Sequence, residues 1–271
     1  MITLPFLAAV AMLTLSLEPL PAAAAAQAQA PTPLQRSLFD GERHRAIALD
    51  LYFPPHASRC GQPGLCPVVF FSAGYGIGIG EYAFVAAALN ELGYLMVSVG
   101  QELPGDPPMA SKGDLFKLRS PEWARGAPNI RYAQSVLRQR YPGYDWTHPV
   151  LAGHSNGGDI AAWLVRESPD FASAVITLDN RRATLPRGVA PKLLSIRASD
   201  FVADGGVLPT VRERRRSGAC IMTIAGAHHN AINDGGGAPL KGAIAHAIQH
   251  FLRPAPGTDR PAYGCDGDMA L

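Results

Sequence analysis

Short runs of consecutive apolar residues alternate along this chain with stretches in which apolar residues recur every three or four positions. Residues 45–53 read as a strand closed by Pro54-Pro55, and 67–72 as a short apolar strand buried on both faces. A helix over 81–92 ends at Gly93, and a further strand covers 94–99. Residues 100–128 interrupt the rhythm with Pro104, Gly105, Pro107, Pro108, Gly113, Pro121, Gly126 and Pro128, which predicts an insertion of the kind that forms lids and binding loops. The alternation then resumes with a helix at 129–141, a strand at 149–153, a helix at 157–167 and strands at 174–178 and 192–196. A helix at 209–217, a strand at 220–224 and a closing helix at 241–252 complete it. Strands alternating with helices require right-handed crossovers, so the expected fold is α/β, a doubly wound, mostly parallel sheet covered on both faces.

The N-terminus stands apart from that pattern. Residues 2–17 form an apolar run of 16 without a charge, followed by Glu18-Pro19-Leu20-Pro21 and an Ala-rich stretch in which Ala26-Gln27-Ala28 fits a small-x-small cleavage site. The run is shorter than the 18 or more residues of a usual spanning helix. The expectation is a signal peptide over 1–30, a single domain over 31–271 and a periplasmic or secreted protein without a stable membrane span after cleavage. All four cysteines lie beyond the leader. Cys60 and Cys66 bracket a Gly- and Pro-containing turn that suits a disulfide in an oxidising compartment. Cys220 with Cys265 would staple the tail to a strand, the alternative being a buried free thiol at Cys220. With no C-x-x-C and no His at finger spacing, structural zinc is not expected.

With 47% hydrophobic and 17% charged residues the chain can bury a full core, and a net charge of +2 lacks the basic excess of a nucleic-acid binder. Candidate chemistry lies at Gly153-His154-Ser155-Asn156-Gly157, a G-x-S-x-G placed between a buried strand and a helix. A tight strand-to-helix turn needs glycine on either side of Ser155, and the following helix aims N–H groups at charge developing there. A nucleophilic serine needs a base, and the base needs an orienting acid. Gly226-Ala227-His228-His229-Asn230 follows the last strand, which puts two imidazoles at the same sheet edge.

The order of nucleophile, acid and histidine after successive strands resembles the α/β-hydrolase superfamily over nearly the whole mature chain. Arg43-His44-Arg45-Ala46-Ile47 with Leu51-Tyr52-Phe53-Pro54 look like the first strand of exported esterases of the dienelactone-hydrolase, cutinase and platelet-activating-factor-acetylhydrolase types. The resemblance implies His229 as base, with His228 a wall residue or substrate contact and His154 a packed side chain. For the acid it favours Asp200, in Arg197-Ala198-Ser199-Asp200, over Asp179, which closes Ile176-Thr177-Leu178-Asp179 in the position used by the acetylhydrolase branch. The oxyanion donors it implies are the amides of Asn156 and of Tyr75, the latter in Ser72-Ala73-Gly74-Tyr75, where relatives carry Ser-His-Gly.

These residues imply a serine hydrolase that cleaves carboxylic esters, small or lipid-like, through an acyl-enzyme and without cofactor or metal. Two rivals differ in class. A non-catalytic binding protein on the same fold leaves Ser155, His229 and two acids without a task. A nucleotide-dependent oxidoreductase is suggested by Gly74-Tyr75-Gly76-Ile77-Gly78-Ile79-Gly80 with Glu102 ending the next strand, but no register of G-x-G-x-x-G fits. His246 and His250 have i, i+4 spacing, yet Ala247 stands where a metalloprotease needs glutamate.

Overall fold

The computed structural model describes residues 30–61, 64–255, 257, 263–265 and 269–270. The expected leader lies outside these residues, except for Ala30. A nine-stranded sheet carries the architecture: β1 (Leu34–Asp40), β2 (Arg45–Tyr52), β3 (Cys66–Ser72), β4 (Leu95–Val99), β5 (Tyr144–His154), β6 (Ala174–Leu178), β7 (Lys192–Ala198), β8 (Cys220–Ala225) and the two-residue β9 (Met269–Ala270). The order across the sheet is β1-β2-β4-β3-β5-β6-β7-β8-β9. β1 and β2 pair antiparallel, β2 meets β4 antiparallel, and from β4 onward all pairings are parallel. The doubly wound, mostly parallel sheet expected from the alternating pattern is the one observed.

Parallel strands covered on both faces must be apolar on both, and β3 shows how. Val69 and Phe71 enter one core, with residues of α1 (Ala83–Glu91) and α5 (Ala238–Leu252). Val68 and Phe70 enter the other, with residues of α2 (Leu115–Arg140) and α3 (Asn156–Glu167). A short α4 (Val211–Ser217) precedes β8, begun by a capping box between Thr210 and Glu213 and ended by left-handed Gly218.

α2 corrects the expected insertion at 100–128. Only 100–114 is irregular, and residues 115–128 form the first half of a 26-residue helix that contains Pro121 and Pro128. Each interior proline costs about 3 kcal/mol through a lost hydrogen bond and a steric clash. Against that cost stands a buried stripe of Trp123, Ala127, Ile130, Ala133 and Leu137, whose larger members are each worth about 1.5–3 kcal/mol. Asp114 caps the helix by accepting from the Lys117 amide, and the Ser120 hydroxyl donates to the Lys117 carbonyl that Pro121 leaves without its amide partner. Tertiary packing overrides local propensity here.

β1 was not expected. Its side chains are mostly exposed and polar, so it lacks the apolar pattern that marks the inner strands. Cys60 is bonded to Cys66 and Cys220 to Cys265, with Cα atoms 5.1 and 5.5 Å apart. Among the described residues, no helix is long and apolar enough to cross a membrane.

Candidate active site

The register of the parallel strands brings five loops to one edge. Ser72 is paired with Gly153, His154 with Leu178, Leu178 with Ile196 and Ala198 with Ile224. The segments that follow β3, β5, β6, β7 and β8 therefore emerge together, the usual place for ligand chemistry in open α/β sheets.

Ser155 sits between β5 and α3 with φ 51° and ψ −118°, outside the regions that L-residues ordinarily occupy. The turn is held by sterics as well as by hydrogen bonds. A Cβ on Gly153 would lie 2.4 Å from the carbonyl carbon of Gly157, and one on Gly157 would lie 2.0 Å from the Ser72 carbonyl oxygen. The Ser155 amide donates to the Leu178 carbonyl at 2.8 Å, which extends the β5–β6 ladder one residue past the strand.

Ser155 Oγ lies 2.9 Å from His229 Nε2, and His229 Nδ1 lies 2.5 Å from Asp179 Oδ2. Asp179 is fully buried with φ 54°, and its amide donates to the Ile196 carbonyl at 2.8 Å. Arg197 Nη2 stands 2.8 Å from Oδ1 and Arg181 Nη2 stands 3.3 Å from Oδ2. Burial alone would raise the Asp179 carboxyl. The hydrogen bond with His229 and the Arg197 and Arg181 charges outweigh it, holding the group below the ordinary carboxylate range.

Asp200 does not occupy the expected position. Both its oxygens accept the backbone N–H of His229 at 3.0 Å, and Oδ2 lies 3.5 Å from Nδ1 of the exposed His228. The contact with the His229 ring belongs to Asp179, because the turn after β6 buries its carboxylate beneath the imidazole while the turn after β7 meets the main chain of the same loop. Arg197, near the end of β7, and Arg181, in the turn after β6, compensate the buried carboxylate and carried no signal in the sequence beyond those places.

His154 is buried. The Tyr82 hydroxyl accepts the Gly74 amide at 3.1 Å and stands 2.9 Å from His154 Nδ1. Burial, reinforced by the proximity of His229, pushes the His154 pKa down to about 3, and the side chain stays a neutral wall of the site. A Cβ on Gly74 would meet its Nδ1 at 2.8 Å, which accounts for the glycine between Ala73 and Tyr75.

Tyr75 is 38% exposed and its hydroxyl accepts the Met109 amide at 3.1 Å. The next amide, Gly76, donates to Glu102 Oε2 at 3.0 Å. Asn156, on the other side of Ser155, is 2% exposed and opens α3. Tyr75 thus lies on the loop after β3, and Asn156 on the first turn of α3, next to the serine. Among the described residues, no group of three or more His, Cys, Asp or Glu side chains is arranged to hold a metal ion.

No protein-family model and no curated protein matches the chain. Solved structures do match in shape. A ferulic acid esterase from Streptomyces cinnamoneus superposes with a TM-score of 0.60 at 18% identity, over 88% of this chain and 96% of that one. Esterase 2 of Thermogutta terrifontis, phosphorylated by paraoxon, gives 0.61 at 16% identity over 83% and 94%. At such identities the likeness is one of fold, and the fold is that of the α/β-hydrolases.

Proposed function

We propose that this chain is an exported serine hydrolase that cleaves carboxylic esters through an acyl-enzyme intermediate. The observation that carries the reading is the unbroken relay from Ser155 Oγ through the His229 ring to the buried Asp179 carboxylate. A carboxylate at Nδ1 holds that nitrogen protonated and leaves Nε2 free to take the serine proton. Ser155 Oγ then bonds to the ester carbonyl carbon, and the carbonyl oxygen becomes an oxyanion stabilised by the Tyr75 and Asn156 amides. Asp179 stabilises the imidazolium that forms. The alcohol departs with the proton from His229, and water, activated by the same imidazole, releases the acid.

The fold neighbours named as esterases support the hydrolase class, and the paraoxon-phosphorylated one supports the serine chemistry by analogy. Two disulfides support export to an oxidising compartment. The substrate is a small or lipid-like ester, met by diffusion and without a nucleic-acid partner.

The test is Ser155→Ala, assayed on p-nitrophenyl esters of increasing acyl length beside a fluorescent phosphonate label. Hydrolysis and labelling are both expected to vanish while the circular dichroism spectrum is unchanged. Labelling of the variant at wild-type stoichiometry would reject Ser155 as nucleophile, and an unlabelled, inactive wild type would favour a binding protein on the same fold.

A further inference from the structure

Glu122 and Trp123, on the proline-containing half of α2, take no part in the proton relay. Both are buried, and both direct their polar atoms to one side chain. The Trp123 indole N–H donates to Asn156 Oδ1 at 2.9 Å, and Asn156 Nδ2 donates to Glu122 Oε1 at 2.7 Å. We propose that Glu122 and Trp123 are positioning residues for oxyanion stabilisation: they clamp the Asn156 side chain and, through it, the backbone amide that follows the nucleophile. The inference rests on the assignment of Ser155 and Asn156 made above.

The first turn of a helix has free N–H groups, which suits it to meet a developing anion but leaves it without intrahelical bonds to hold it. In α3 the next two residues are Gly157 and Gly158, so Asn156 is the first position there with a side chain that can be gripped. One contact fixes its acceptor and the other its donor, from opposite ends of the same planar amide. The clamp is itself rigid. The Trp123 ring lies 5.5 Å from Phe116 on its own helix and 5.9 Å from Trp163 on α3, centroid to centroid. Burial pushes the Glu122 carboxyl up, opposed by the Asn156 hydrogen bond, and the Asn156 amide finds an acceptor oxygen there whether the acid is ionised or not.

Oxyanion donors act within a window of about 2.7–3.1 Å, and losing one costs about 10²–10³ in kcat. A donor that is kept but loosened is expected to lose part of that. Trp123→Phe removes the indole N–H together with part of the buried ring, and Glu122→Leu removes the acceptor without touching that packing. Each is expected to lower kcat about tenfold with KM within twofold, since both side chains are buried away from the surface where substrate arrives. Glu122→Gln restores an acceptor oxygen and should recover most of the loss. The readout that a merely structural role would leave unmoved is affinity for a trifluoromethyl ketone. Ser155 adds to its carbonyl carbon, the serine proton passes to His229, and the new hemiketal oxygen carries the charge into the oxyanion site. Its Kd should rise in proportion to the loss in kcat/KM across the series.

With Ser155→Ala inactive, an unchanged kcat in Trp123→Phe and Glu122→Leu overturns the clamp. So does a fall in kcat that ketone affinity does not follow, or a Glu122→Gln no better than Glu122→Leu. An active Ser155→Ala instead removes the catalytic assignment beneath it. Should Trp123→Phe fail to fold, the two Glu122 variants carry the test.

Discussion

Asp179→Asn tests the relay most directly, because the change preserves size and removes only the charge. An asparagine that turns its NH2 toward His229 Nδ1 makes that nitrogen an acceptor. The ring proton then moves to Nε2, where it faces Ser155 Oγ and blocks proton transfer. With the tautomer inverted and the imidazolium unsupported, kcat is expected to fall about 10⁴-fold. The same change leaves Arg197, whose side chain is only 5% exposed, and Arg181 without their counter-ion. Breaking a buried pair costs about 3–5 kcal/mol, so the melting temperature should drop by about 10 °C in a domain of this size. Asp200→Asn keeps a carbonyl oxygen for the His229 amide and should cost less than about tenfold in kcat, with little change in melting. The assays are steady-state ester hydrolysis and thermal unfolding followed by circular dichroism, on both variants at one pH. A loss of three orders of magnitude in Asp200→Asn, beside an Asp179→Asn within tenfold of wild type, would refute the assignment.

Two further outcomes concern His154 and the disulfides. The folded-state pKa of His154 lies far below its unfolded value near 6.5, so only the unfolded chain takes up that proton at intermediate pH. Its contribution is therefore fully present above pH 6.5 and is lost as the pH falls toward 3, about 2 kcal/mol of it by pH 5. Urea unfolding at pH 7 and pH 5 should show the slope, and a His154→Gln variant with the same slope as wild type would exclude His154 as its source. The Cys220–Cys265 bridge closes 45 residues and the Cys60–Cys66 bridge 6, so chain entropy assigns about 4 and about 2 kcal/mol to them. Unfolding midpoints of Cys265→Ser and Cys66→Ser should fall in that order, and the reverse order would refute the loop-length account.

The serine turn was legible because its constraint is local: a strand, a helix and glycines with no room for a Cβ. The position of His229 was legible for a similar reason, in a short histidine-bearing turn after the last long strand. The acid was not. Asp179 and Asp200 each close a turn after an inner strand, and what separates them is which carboxylate is buried against Arg197 and Arg181, a matter of tertiary placement that spacing does not encode. α2 was misread because proline is a strong local signal whose cost is met by packing from elsewhere. β1 escaped notice because an edge strand in solvent has no reason to alternate. Glu122 and Trp123, inside the misread segment, could not be linked to Asn156 until the helix through them was seen.

His229 is gripped at two points, its ring from the turn after β6 and its main chain by Asp200 from the turn after β7. Exposed loops ordinarily accept extra residues with little penalty. Gly226 and His228 are exposed, like most of residues 41–44, but the two segments differ in their tolerance for lengthening. One added residue between Ala225 and His229 would carry the histidine out of register with one anchor or the other. An addition at 41–44 would enlarge the hairpin between β1 and β2, at the far edge of the sheet, and at most disturb the contacts of Arg43 with Asp40 and Asn129. Anyone seeking a site for a reporter or a tag should therefore choose that hairpin.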